Sequence, residues 1–414
     1  MTENSVSKAS CIVIGASHAG VTLALQLRKE GWQGKITLLG AEEELPYQRP
    51  PLSKGVLSGE KDLDGIRLRP RQSFDDNGIE LILGTTVASL QAEQQTISLA
   101  DGQVLHYDKL ALCTGAQVRT LNQISKQSQV CYLRTAADAA RIKSSIAVGR
   151  SAAVIGGGYI GLETAAVLAS AGISVTVIEA ADRILQRVTG ALMSDFIRGL
   201  HQAHGVTIKT AVAVQAIEEQ AEKKLVICSD GSRIEVDFVI AGIGVEANTE
   251  LARAAGLRVE AGIVVDKFAR SSNEHIYAAG DCTFHPSAIY GRFLRLESVQ
   301  NANDQARIAA ANICGKQLPY DAVPWFWSDQ YNIKLQMVGL SGNHDAVVCR
   351  GSIDDYEDSG FALFYLLDGK LIAADCVNRP KEFMVSKQLA RNQEKIAPEL
   401  LADESIEPAK FLLA

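Results

Sequence analysis

At 414 residues the chain is long enough for two or three domains, and 47% hydrophobic residues argue against disorder. A net charge of −7 argues against a general nucleic-acid binder but leaves room for a small basic docking patch. The polar opening Met1-Thr2-Glu3-Asn4-Ser5 lacks the charged-then-apolar pattern of a secretory leader, and no apolar run reaches membrane-span length, so a cytoplasmic protein is expected.

The first elements read strand, glycine turn, helix, strand. Cys11 to Ile14 is a short apolar strand, followed by Gly15-Ala16-Ser17-His18-Ala19-Gly20. Apolar residues at helical spacing predict a helix over 21–30, stopped by Gly31, and Ile36 to Leu39 is the next strand. The proline-rich stretch Pro46-Tyr47-Gln48-Arg49-Pro50-Pro51-Leu52-Ser53-Lys54 forbids helix and central strand. Residues 79–113 alternate as strands, with Asp101-Gly102 as a hairpin turn.

The same series starts again near residue 150. Ala152 to Ile155 is a strand and Gly156-Gly157-Gly158-Tyr159-Ile160-Gly161 a second glycine turn. A helix over 162–171, a stop at Gly172, a strand over Val175 to Ile178 and a hairpin at Asp230-Gly231 follow. The pattern suggests two internal copies of one α/β architecture. Further on, Ile276 to Asp281 is a buried strand ending in glycine and a carboxylate, and 299–314 reads as a helix closed by Gly315. The final ninety-odd residues alternate in strand fashion, at 334–338, 346–349, 361–367 and 371–374, and suggest a C-terminal α+β domain. Asp354 to Asp358 is expected to be a solvated loop.

A glycine turn that follows a strand and opens a helix brings backbone N–H groups and the helix dipole to a pyrophosphate. Two such turns predict two dinucleotides in one molecule, hence redox chemistry. In the second turn Gly156, Gly158 and Gly161 are all present, and Glu179 closes the next strand 18 residues after Gly161. An acidic group there accepts from ribose hydroxyls and repels a 2′-phosphate, so NADH is the expected ligand. The first turn departs from the ideal: Ser17 replaces the middle glycine between Gly15-Ala16 and Gly20, and the ribose acid shifts to Glu42, with Glu43 as the alternative. A carboxylate placed like Asp281 is suited to accept ribityl hydroxyls. The eight cysteines form no C-x-x-C or C-x-x-x-x-C pair and none lies between residues 40 and 54. Iron–sulfur, zinc and dithiol-relay chemistry therefore all lack their spacing. No metal site is expected.

Both glycine turns, Arg49-Pro50-Pro51-Leu52-Ser53-Lys54, Tyr277-Ala278-Ala279-Gly280-Asp281 and Trp325-Phe326-Trp327-Ser328-Asp329-Gln330-Tyr331 occur in one order over nearly the whole chain. In this the sequence resembles the FAD-dependent NADH:ferredoxin reductases of bacterial monooxygenase and dioxygenase systems. The resemblance implies a glutathione-reductase-like fold with two Rossmann-like domains. The FAD domain is split over 1–116 and 245–320, the NADH domain is inserted at 117–244, and a C-terminal α+β domain occupies 321–414. It implies FAD across the first turn, with Lys54, Val87 and Arg134 lining the site, Asp281 on the ribityl chain and the helix beginning at Val299 aimed at the flavin. It also implies a Lys54–Glu163 pair beside the flavin N5 edge, Tyr159 as an aromatic gate, and Trp327 as a wall near the electron exit; Trp325 is equally well read as packing. The partner implied is an acidic [2Fe–2S] ferredoxin, with Arg292, Arg295, Arg307 and Lys334 as candidate docking residues. An NADH-sensing, partner-binding flavoprotein and a quinone reductase are the alternative readings.

Overall fold

The computed structural model describes residues 9–121 and 130–413. The chain forms two compact units, one of residues 9–48, 63–117 and 246–324, the other of 49–62, 118–121, 130–245 and 325–413.

The first unit is built on a parallel sheet whose strands run, across the sheet, Ile276–Ala278, Lys109–Leu112, Ser10–Ile14, Lys35–Leu39 and Ile79–Ile82. Its central strand is buried from Cys11 to Ile14. Continuous apolar runs of this kind mark strands covered on both faces. The helices His18–Lys29 and Val299–Ile313 pack on one another, and a hydrogen bond of 2.8 Å joins Thr22 to Asn303. A three-stranded antiparallel sheet, Val87–Gln91, Thr96–Leu99 and Val104–His106, is attached.

The second unit contains the same arrangement. Its parallel sheet runs Thr207–Lys209, Ser174–Ile178, Ser151–Ile155, Phe238–Ala241 and Cys131–Tyr132. Its attached antiparallel sheet is Val214–Gln220, Lys223–Cys228 and Arg233–Val236. The register also repeats: Ser10 to Ile14 faces Lys35 to Leu39 as Ser151 to Ile155 faces Ser174 to Ile178. The duplication read from the pattern is thus present as topology.

The C-terminal part of this unit is a five-stranded antiparallel sheet in the order Trp325–Gln330, Ile333–Gly339, Lys370–Val377, Phe361–Leu367 and Ala346–Gly351. The helix Pro380–Asn392 packs on it. Neither the Trp325–Gln330 strand nor that helix was expected from the pattern. Both glycine-turn helices also start earlier than expected, at His18 and Tyr159, because the turn residues themselves enter the first helical turn.

Candidate dinucleotide-binding sites

In the first turn, Gly15 has φ +110°, and a Cβ there would lie 2.1 Å from the Cys113 carbonyl oxygen. A Cβ at Gly20 would lie 1.8 Å from the Gly15 carbonyl oxygen, so this glycine lets the helix close on the turn. Ser17 caps the helix without using its hydroxyl on the first turn. Ala16 and Ser17 are half-buried beside it. Gly280, at φ +89°, has Ala19 and Ala302 as its nearest neighbours, and its N–H donates to Gln305 Oε1 at 2.8 Å. Asp281, the next residue, is half-buried. Ser298 caps the Val299–Ile313 helix by accepting from the Asn301 N–H at 3.1 Å.

Elsewhere in this unit, Glu42 accepts a hydrogen bond from the Tyr47 hydroxyl, while Glu43 is exposed. The acid shifted from its usual place is therefore held by a neighbouring aromatic. Val87 begins its strand half-buried and packs against the apolar cluster that includes Leu90, Ile97 and Leu99.

The second turn repeats the first. Gly156 has φ +103° and a Cβ there would lie 2.5 Å from the Gly242 carbonyl oxygen, and at Gly161 it would lie 2.3 Å from that of Gly156. At Gly158 a Cβ would meet nothing within 4 Å, so the middle glycine faces open space at a helix N-terminus. Glu179 is fastened to the turn: one oxygen accepts from Gly157 N–H at 2.7 Å and the other from Ala181 N–H at 2.8 Å. Each carboxylate oxygen keeps a lone pair for a further donor. Strained, Cβ-free turns with unspent helix N-termini fit two pyrophosphates, so the residues present suit FAD and a nicotinamide dinucleotide.

Glu163 lies one turn further along the same helix and is buried among Leu162, Ala165 and Ala166. A lone buried carboxylate is costly, so partners are required. Lys54 Nζ stands 2.8 Å from Oε1, the Ser328 hydroxyl donates to Oε1 at 2.6 Å, and the Ser53 hydroxyl donates to Oε2 at 2.5 Å. The double proline of Arg49-Pro50-Pro51 forms a short 3-10 turn over Pro50–Ser53 that presents Ser53 and Lys54 together. The Arg49 guanidinium donates to the carbonyl of Arg134 at 2.6 Å, and the Arg134 N–H donates to Asp138 at 3.1 Å.

Tyr159 opens this helix with its hydroxyl 2.6 Å from Met337 Sδ and its ring 5.1 Å from that of Phe326. Trp327 is half-buried, 6.2 Å from the Phe326 ring. Trp325 packs against Phe383 at 5.7 Å with the Lys387 ammonium 4.6 Å from its ring centre, which favours the packing reading. Of the basic candidates, Arg292 and Lys334 are exposed; Arg295 pairs with Glu297 at 2.5 Å and Arg307 with Asp304 at 2.6 Å.

All eight cysteines are free. Burial pushes the thiol pKa of Cys113 well up, and that of Cys282 up as well, the opposite of a redox-active thiol. Among the described residues no group of His, Cys, Asp and Glu could hold a metal, and no helix is long and apolar enough to cross a membrane.

Duplicated parallel sheets, each with a glycine turn built for a pyrophosphate, define a two-dinucleotide oxidoreductase. The chain belongs to the pyridine nucleotide-disulphide oxidoreductase family, which covers residues 9–306, and carries the reductase C-terminal family over 325–412. It is 42% identical over 410 residues to putidaredoxin reductase of Pseudomonas putida, covering 97% of this chain and 96% of that protein. Rhodocoxin reductase of Rhodococcus erythropolis is 42% identical over 95% of this chain and 92% of its own. Among solved structures, the covalent putidaredoxin reductase–putidaredoxin complex superposes with TM-score 0.94 at 41% identity, covering 98% of this chain and 99% of that one.

Sequence reasoning missed Ser53, Ser328 and Met337. Ser328 carried a signal: in a strand, Phe326, Ser328 and Gln330 share one face, and two polar residues on a buried face ask for a buried partner.

Proposed function

We propose that this chain is a flavoprotein reductase that passes electrons from NADH through FAD to a [2Fe–2S] ferredoxin serving a monooxygenase or dioxygenase. The observation that carries the reading is the pair of glycine turns on parallel sheets that share the order of four of their five strands. When bound, FAD accepts a hydride at N5 and releases electrons one at a time.

The split FAD domain is assigned to 1–116 and 245–320, the NADH domain to 117–244, and the C-terminal domain to 321–414. Gly15, Ala16, Ser17 and Gly20 hold the FAD pyrophosphate, Glu42 its adenosine ribose and Asp281 its ribityl chain, with Val87 and Arg134 lining the site. The helix dipole at Val299 favours negative charge on the flavin ring. Gly156, Gly158, Gly161 and Glu179 hold NADH. Lys54, paired with Glu163, serves the N5 edge; Tyr159 gates the nicotinamide and Trp327 walls the electron exit. Arg292, Arg295, Arg307 and Lys334 are proposed to meet an acidic ferredoxin. All eight thiols are unpaired and five of them are buried, which supports a path with no dithiol relay.

The test is anaerobic stopped-flow mixing with NADH, followed by a purified [2Fe–2S] ferredoxin. Rapid bleaching of flavin absorbance and then ferredoxin reduction are expected. Slow bleaching with a long-lived charge-transfer band would instead support an NADH sensor.

A further inference from the structure

The hydrogen bonds to Glu163 continue inward, well beyond the residues assigned above. Ser328 Oγ receives the side-chain amide of Gln330, with Nε2 at 3.1 Å. Gln330 Oε1 lies 2.8 Å from His201 Nε2, and His201 Nδ1 lies 3.1 Å from the Tyr331 hydroxyl. The Tyr331 ring stacks on His204, with centroids 3.7 Å apart. Ser328, Gln330 and His201 are all buried.

Chemistry fixes the direction of this chain. A carboxylate paired with lysine only accepts, so Ser328 donates to it. The serine lone pair then takes the Gln330 N–H, which leaves the amide oxygen facing His201. His201 must therefore carry its proton on Nε2, and its bare Nδ1 accepts from Tyr331. Burial lowers the His201 pKa to about 4, so the neutral ring this direction requires is the form present near neutrality. Every donor from Tyr331 inward points toward Glu163.

Backbone geometry supports the same reading. Gln330 and Ile333 close the hairpin, and Tyr331 occupies its tip with φ +50°. A bulky residue at positive φ is strained and persists where its surroundings over-determine it. Here the surroundings are the hydrogen bond to His201 and the stack on His204.

We propose that Ser328, Gln330 and His201 are positioning residues, a one-way hydrogen-bond chain that holds the Glu163 carboxylate aimed at Lys54. The chain extends the proposed function: any effect on flavin chemistry depends on that reading, whereas the aim of Glu163 does not.

Two measurements on the holoprotein test it. Lys54 is labelled by reductive methylation and read by peptide mass. Ser328→Ala is expected to raise Lys54 labelling by on the order of tenfold, for loss of a charge-assisted hydrogen bond, and Gln330→Met, which removes a neutral one, to raise it less. Ser328→Thr, which keeps the hydroxyl, should return it toward the wild-type rate. Unchanged labelling in both Ser328→Ala and Gln330→Met overturns the proposal. Nitrogen NMR of isotope-labelled histidine should find His201 as the Nε2–H tautomer; the Nδ1–H tautomer would overturn the direction of the chain. Raised labelling with unaltered flavin bleaching by NADH keeps the positioning role and removes the pair from the flavin edge.

Discussion

The hydroxyl of Tyr159 lies 2.6 Å from the thioether of Met337, which ties the first residue of the second glycine-turn helix to the C-terminal sheet. Burial raises the phenol pKa well above its ordinary value, so the group remains a donor. If the ring gates the nicotinamide, it must leave Met337 and Phe326 when NADH enters, and that cost weakens binding. Tyr159→Ala is therefore expected to lower the Kd for NAD⁺ several-fold, read by titration of the flavin spectrum. A higher Kd would assign the ring to ligand contact, and an unchanged Kd with a lower Tm would assign it to packing.

Glu179 is held by two backbone N–H groups at the second turn, and the proposed role sets its charge against a 2′-phosphate. Glu179→Ala removes that repulsion along with acceptors for the ribose. The ratio of kcat/KM for NADH over NADPH should fall by about tenfold, equivalent to about 1.4 kcal/mol of discrimination. An unaltered ratio would refute the assignment.

Much of this architecture could be read from the residues because its determinants are local. A strand, a glycine with no room for Cβ and a helix lie within 20 residues, 10–29 and again 151–170, and the two copies confirm one another. Glu163 shows where such reading stops. Its place in an apolar helix is visible in the sequence, and the resemblance supplied Lys54, but Ser53 lies 110 positions away and Ser328 165 positions away. Partners so distant are chosen by tertiary packing, and no periodicity encodes them. The Trp325–Gln330 strand was hidden for a related reason: its aromatic residues sit on both faces, so the period-2 pattern is blurred.

Asp281 follows Gly280, whose positive φ turns the chain beside Ala19 and Ala302 where the two helices of the first unit begin. No larger residue fits that turn without strain, and the carboxylate position follows from it. Asp281→Ala should give protein that loses FAD on gel filtration, measured as the ratio of flavin to protein absorbance. Full retention of the yellow colour would count against the ribityl role.

Asp375 is buried with the Thr189 and Tyr365 hydroxyls donating to its Oδ2, the latter at 2.7 Å. Desolvation raises its pKa from 3.8 to about 6, and these donors only partly oppose the shift. The native state thus holds a proton that the unfolded chain releases. Its contribution is fully present below pH 3.8 and is lost as pH rises through about 6. The difference is at most about 3 kcal/mol at about 1.4 kcal/mol per unit. His201 and His285, both lowered from 6.5 to about 4, act in the opposite sense and lose stability as pH falls. The Asp375 effect must therefore be read as a difference. The Tm of Asp375→Asn minus that of wild type should increase between pH 4 and pH 6 and then level. A flat difference would place the carboxyl in contact with water.

Arg307 is exposed and pairs with Asp304 one helical turn away at 2.6 Å. Such a surface pair is worth about 0–1 kcal/mol, so Arg307→Glu should leave Tm nearly unchanged. If Arg307 meets the ferredoxin as proposed, its effect belongs to association: reversing one charge at a docking surface slows encounter with an acidic partner and flattens the salt dependence. The KM for ferredoxin should rise at low ionic strength and converge on wild type at high salt. Reduction of ferricyanide, a small acceptor with no docking surface to recognise, should be retained. Equal loss with both acceptors would move Arg307 from docking to the integrity of the Val299–Ile313 helix.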